Sequence, residues 1–230
     1  TKDPEFGQNL DFHRAMQISK DKMSTRIIKG RDFYKFLERS GEVDVAFCLG
    51  NTPNVLVAAA TSVNTGLDEL EIANALTSMR LTKATSVDLL IPANCEIVLE
   101  GRVCMNERDT EGPFIDLTET YDTVRQEPVF EVKKITHRKD PIWQALLPGA
   151  LEHKVLMGMP REPTIFKKVT EAGVECIDVN INPGGSSWLH AIVKINKKHE
   201  DDGRKAILAA FEGHKSCKHV FVVDQDINIY

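Results

Sequence analysis

TSVDLLIP (Thr85–Pro92), EIVLEGRV (Glu96–Val103) and PVFEVKKIT (Pro128–Thr136) are three runs rich in β-branched and apolar residues, two of them separated by only three residues. Runs of this length and composition bounded by turn-forming residues predict strands, and short connections predict antiparallel neighbours. VDVAFCLG (Val43–Gly50) adds another strand upstream. Segment 9–29 reads as two short strands around the polar turn SKDK. Helices are expected where the spacing changes. RDFYKFLERSG places Phe33, Phe36 and Leu37 on one helical face before a glycine stop, and NTPNVLVAAATS opens with Asn51 and Pro53. DELEIANALTSM carries acids in its first turn, where the helix dipole favours them. Downstream, HRKDPIWQALLPG reads as a loop and EPTIFKKVTEAG as a helix closed by Gly173. VECIDVNI and SWLHAIVKI read as strands joined by NPGGS. DDGRKAILAAFEGH reads as a helix, and a last strand covers Val220–Val223. The expected fold class is α+β: a mostly antiparallel β-barrel with helices packed outside.

The chain has 230 residues, 42% hydrophobic and 27% charged, with a net charge of -5. That balance suits a soluble globular protein and disfavours nucleic acid as a partner, since phosphate backbones are bound by basic faces. No apolar run approaches the roughly 20 residues of a membrane helix, so no transmembrane segment is expected. Five scattered cysteines without a signal peptide point to a reducing, cytoplasmic setting. Residues 1–6, TKDPEF, resemble a vector-derived scar. The last strand runs straight into an acidic tail, so 7–230 is expected to be one domain of a longer chain.

EGPFID (Glu111–Asp116) sets two carboxylates five residues apart around a Gly-Pro corner. Most acidic turns of this kind are solvated loops. An acid/base pair would need a cation to keep one member ionised, and the candidate is Arg14. On a strand, NLDFHRA would turn Asn9, Asp11 and His13 to one face and Leu10, Phe12 and Arg14 to the other. An arginine beside Leu10 and Phe12 is either paired inside the fold or snorkelled at a rim. HKSCKH (His214–His219) supplies at most three zinc ligands with no second cluster, and NPGGSS lacks the following helix of a phosphate-binding loop, so a hairpin turn is the better reading.

The order NLDFHR, LDELEIANAL, IPANCEIVLEG, EGPFID, PVFEVKKITHRKDPIW, INPGGSSWLHAIVKI and FVVDQDIN resembles the central domain of the UbiD-type decarboxylases. Each motif alone is weak, but seven in the same order cover nearly the whole chain. The resemblance implies a flavin-binding split β-barrel carrying prenylated FMN, a cofactor supplied by a flavin prenyltransferase. It also implies non-oxidative removal of CO2 from an aromatic, 4-hydroxybenzoate-like, or α,β-unsaturated acid, trans-anhydromevalonate 5-phosphate among them. Arg14, Glu111 and Asp116 match the catalytic trio, with Asp116 as the acid that protonates the vacated carbon. Asn9, Leu10, Asp11, Phe12, His13, Arg14 and Glu69 match the cofactor-binding positions. Asn9 and Glu69 match ligands of a divalent metal, manganese or magnesium, with potassium as an accompanying ion. The third metal position, commonly histidine, falls on Asp32. The resemblance further implies a homo-oligomer in the full-length protein. The alternative is a non-catalytic module that binds FMN or its prenylated form within a larger assembly.

Overall fold

The computed structural model describes all residues, Thr1–Tyr230. They form two compact units, Thr1–Phe114 with Tyr121–Ala145, and Ile115–Thr120 with Leu146–Tyr230.

The first unit begins with a short hairpin, β1 (Lys2–Asp3) and β2 (Gly7–Gln8). Residues 1–6, expected as a scar, make its first arm and turn; Asp3 is buried there and accepts hydrogen bonds from the Glu5 and Phe6 amides. Residues 9–14 are irregular rather than the expected strand. Next come β3 (Ala15–Gln17), β4 (Lys22–Thr25), α1 (Asp32–Ser40) and β5 (Glu42–Leu49). Phe33, Phe36 and Leu37 of α1 are buried against Val43, Val45, Val103 and Phe130, as their spacing required. Gly41 ends the helix in the left-handed region, its amide donating to Leu37 O. Helices α2 (Pro53–Ala60) and α3 (Glu69–Leu76) pack through Val55, Ala58 and Ala73. Asn51 does not cap α2; its amide donates to Cys48 O, and Asp68 caps α3 through Leu70 N.

TSVDLLIP is only partly strand. β6 (Leu81–Lys83) pairs with β7 (Leu90–Pro92), while Thr85 and Ser86 turn their amides and hydroxyls onto the buried carboxylate of Glu100. β8 (Ile97–Glu111) and β9 (Arg125–His137) are far longer than their apolar cores, because they pair with each other through the polar stretch Arg108–Glu111. These strands build a five-stranded sheet in the order β3-β4-β9-β8-β5, antiparallel at every step. It is open, with β3 and β5 at its edges, so the antiparallel expectation holds while closure into a barrel is not seen.

The second unit starts with α4 (Leu151–Gly158), which the sequence reading missed. Leu151 stays exposed, so the helix shows no inward apolar stripe to read. It is followed by α5 (Glu162–Glu171), β10 (Cys176–Ile181), β11 (His190–Ile195), α6 (Asp202–Gly213) and β12 (His219–Val223). Ile165 and Val169 of α5 and three alanines of α6 cover Val179, Ile181, Ala191, Val193 and Ile195. NPGGS is the expected hairpin turn: β10 and β11 are antiparallel, and Asn182 Oδ1 accepts from Gly184 N. β12, by contrast, lies parallel to β11, because α6 carries the chain back across the sheet before it returns.

Gly101 sits at the bulge between β8 and β9, where a β carbon would come within 1.9 Å of Glu131 O. Gly203, near the start of α6, has open space around it. Gly101→Ala should therefore lower stability by about 3 kcal/mol, while Gly203→Ala should leave it unchanged or raise it by up to about 1 kcal/mol. Urea denaturation of both variants checks the contrast.

Candidate active site

Glu111 ends β8 and is fully buried, so its carboxylate requires a partner. Arg14 supplies it. The guanidinium reaches from the residue just before β3 and closes a two-pronged contact, Nε to Oε1 at 2.5 Å and Nη2 to Oε2 at 3.1 Å. Its base is pinned by its own carbonyl, which accepts from Arg26 N and Thr25 Oγ1. Phe114 lies beneath it, 5.0 Å from Cζ to the ring centroid. The arginine with apolar neighbours is thus paired rather than snorkelled. Strand parity was the wrong reason for that expectation, since residues 9–14 are not a strand and Phe12 is exposed.

A second acid meets Arg14 that sequence reading did not single out. Asp122 Oδ2 accepts from Arg14 Nη2 at 2.8 Å, Arg26 Nη1 at 2.6 Å and Arg125 Nη1 at 2.7 Å. Burial opposes the charge on Asp122, but hydrogen bonds from Arg14 and Arg125 and the positive charge around it hold its carboxyl far below the usual range. Nothing in the sequence signals it, because the arginines at 14, 26 and 125 share no local spacing. Asp116 belongs to the second unit, in the turn Ile115–Thr120. It is half-buried, and its Oδ1 accepts from Leu117 N at 2.7 Å.

The candidate cation ligands lie in the irregular stretch and at the start of α3. Glu69 is buried and accepts from Leu10 N at 2.9 Å. Burial pushes its pKa up to about 7, with the charges of Asp11 and Asp68 adding to the rise. Asn9 Nδ2 is buried without a hydrogen-bond partner. Glu69, a carboxylate with no ion-pair partner, and the Asn9 amide oxygen are hard oxygen ligands of the kind a divalent ion takes, while the unpartnered Asn9 atom is the nitrogen, which cannot ligate a cation. Asp32 sits at the first turn of α1, where its Oδ1 accepts from Lys35 Nζ and Thr65 Oγ1, each at 2.7 Å. No group of three or more His, Cys, Asp or Glu side chains converges as a metal centre. His13 is held inside the fold. Nε2 lies 2.9 Å from Asp11 Oδ1 and Nδ1 lies 2.9 Å from Arg26 O. Burial opposes a charge on the ring, and Asp11 outweighs it and raises the pKa. In HKSCKH, His214 Nε2 bonds Trp188 O, and Cys217 Sγ donates to the carbonyls of Leu189 and His219, so the cluster stabilises a turn.

The structure thus fixes a guanidinium against a buried carboxylate, in the same irregular segment that carries Asn9. Two family models cover the chain: the 3-octaprenyl-4-hydroxybenzoate carboxy-lyase Rift-related domain over residues 1–151 and the corresponding C-terminal domain over 154–230. The chain belongs to the UbiD family. It is 42% identical to anhydromevalonate phosphate decarboxylase of Methanocaldococcus jannaschii over 99% of its own length and 55% of that relative. With the Methanosarcina mazei protein of the same name it shares 42% over 96% and 53%. Among solved structures, an evolved dimeric form of the UbiD-class enzyme HmfF from Pelotomaculum thermopropionicum, in complex with prFMN, superposes with a TM-score of 0.95 at 36% identity, covering 99% of this chain and 55% of that one. The chain therefore spans about half the length of the relatives it matches.

Glu69 gives the site a pH signature. Its folded pKa is raised above 4.5, so its contribution to stability is present below about pH 4.5 and is lost as pH rises through about 7. The cation-free protein should lose up to about 3 kcal/mol across that window. Glu69→Gln should remove this loss, as followed by urea denaturation at stepped pH.

Proposed function

We propose that this chain carries the catalytic site of a non-oxidative decarboxylase that uses prenylated FMN, acting on an α,β-unsaturated or aromatic acid. The observation that carries the reading is the Arg14–Glu111 fork, with Phe114 beneath it and Asp122 beside it. The names of the relatives support anhydromevalonate phosphate as the substrate. HmfF in complex with prFMN supports the cofactor.

Arg14 would take the substrate carboxylate through its remaining donors, since Glu111 fixes the plane of the guanidinium and offsets its charge. Bound near residues 9–14, the cofactor would supply the electron sink that makes the carbanionic leaving of CO2 accessible. The carbon–carbon bond breaks, CO2 departs, and a proton takes its place at the same carbon. Asp116 is the proposed proton donor, returning to its acid form by uptake from solvent. Asn9 and Glu69 would hold a magnesium or manganese ion, which would supply positive charge to an anionic cofactor, with potassium as an accompanying ion. Asp32 would join them only by releasing Lys35 or Thr65. On this reading the scaffold is of the split-barrel type, a flavin prenyltransferase provides the cofactor, and the full-length protein is a homo-oligomer. The five free thiols suit a reducing, cytoplasmic setting.

Asp116→Asn should reduce CO2 release by about 10²–10⁴-fold while the absorption spectrum of the bound flavin is unchanged; retained activity would remove Asp116 from the reaction. Arg14→Ala should lower kcat/KM and, by stranding Glu111, destabilise the fold by about 3–5 kcal/mol, which thermal denaturation reads directly. Flavin binding with no CO2 release from the unsubstituted protein would instead identify a non-catalytic module.

A further inference from the structure

The Arg14–Glu111 fork fixes two side-chain heads relative to each other, not relative to the sheet. Both side chains are long, so the pair keeps its place only where the backbone at each root is held. Glu111 is the last residue of β8, and Arg14 precedes β3 from an irregular segment. One dipeptide of β4 meets both roots. Ser24 Oγ donates to Thr110 O at 2.8 Å, one residue before Glu111, and Thr25 Oγ1 donates to Arg14 O at 3.1 Å. Neighbouring strand residues point to opposite sides, which lets this short stretch reach two separate segments.

Ser24 and Thr25 are both fully buried. A buried hydroxyl carries a desolvation cost that alanine or valine would not, and the bond it makes offsets that cost. Neither bond is needed to build β4, whose pairing with β3 and β9 runs through the backbone. Arg14 O also accepts from Arg26 N at 3.3 Å, so both of its lone pairs are used and its direction is set.

We propose that Ser24 and Thr25 are positioning residues that aim the Arg14–Glu111 fork at the substrate carboxylate. They act through two backbone carbonyls and leave the charge of the fork untouched. Loss of either hydroxyl therefore spares the attraction for an anionic substrate and spoils its alignment, and a misplacement of about 1 Å costs about 10²-fold in rate. This inference rests on the decarboxylase reading for its reaction, but the position of the fork can be measured without turnover.

The test compares the flavin-loaded full-length enzyme with its Ser24→Ala, Thr25→Val and Thr25→Ser variants, and with Val193→Ala, a buried change in the second unit. Rates are normalised to bound flavin, so that a lost folded fraction does not count. Ser24→Ala and Thr25→Val should lower kcat about 10–100-fold with KM within about threefold. Thr25→Ser keeps the hydroxyl and should return kcat to within about threefold of the unsubstituted enzyme. Val193→Ala should lower the melting temperature and leave kcat unchanged. If either hydroxyl-free variant fails to fold, the other decides. Unchanged kcat in the folded hydroxyl-free variants, or an equal fall in Val193→Ala, would overturn the inference. Crystal structures of the same variants form a second arm. A fork displaced by about 1 Å without the hydroxyl, and in place in Thr25→Ser, supports the inference even if the unsubstituted enzyme releases no CO2, a result that would count against the decarboxylase reading alone. A fork that stays in place without the hydroxyls overturns it.

Discussion

Burial of Glu111 is the constraint on which the site's arrangement depends. A carboxylate with no exposed surface at the end of a long strand is tolerated only with a cation and directed hydrogen bonds, and Arg14 provides both. The requirement fixes the path of the chain. β8 must continue past its apolar core to place residue 111, β9 must pair alongside it through Arg125, and the irregular segment 9–14 must deliver Arg14 just before β3. Asp122 returns to the same guanidinium, its own amide bonded to Phe114 O, so the corner between the two acids is closed by backbone as well as by charge.

Much of the first unit was legible because its elements are amphipathic in ordinary ways. The α1 triad Phe33, Phe36 and Leu37, the glycine stop after it and the apolar cores of β5, β8 and β9 each bury what their spacing says they should. What stayed hidden was carried by long-range polar pairing. The polar half of β8 looks like a loop until β9 is laid beside it, and Thr85–Ser86 looks like strand until Glu100 claims its donors. In the second unit α4 was missed because Leu151 and Val155 are exposed and no apolar stripe marks its inner face. The strand at β12 was expected, but its parallel direction was not, because a helix between strands sets direction only once its packing is known.

The site divides in the same way. Arg14 and Glu111 were picked out by motif order, and the fork between them follows from chemistry that a sequence states: a buried acid and an arginine with apolar neighbours need each other. Asp122, Arg26 and Arg125 were invisible because no spacing links them; they meet only through the register of β3 with β4 and the pairing of β4 and β8 with β9. His13 carries an inward role that its neighbours in sequence do not suggest, tying Asp11 to the carbonyl of Arg26 and resting its ring edge on Phe33.

Three buried glutamates in the first unit show three degrees of compensation. Glu100 is surrounded by neutral donors, two amides and two hydroxyls from Thr85 and Ser86, and these outweigh burial to hold its pKa below the usual value. Glu111 is held by a guanidinium. Glu69 has the Leu10 amide and its place at a helix start, and burial prevails, lifting its carboxyl toward neutrality. A fold that satisfies its other two buried acids so fully leaves this one charge-poor. Direction of compensation is therefore the physical argument for a cation at Asn9 and Glu69: binding it would supply the positive charge that the chain itself provides at Glu111 and withholds here.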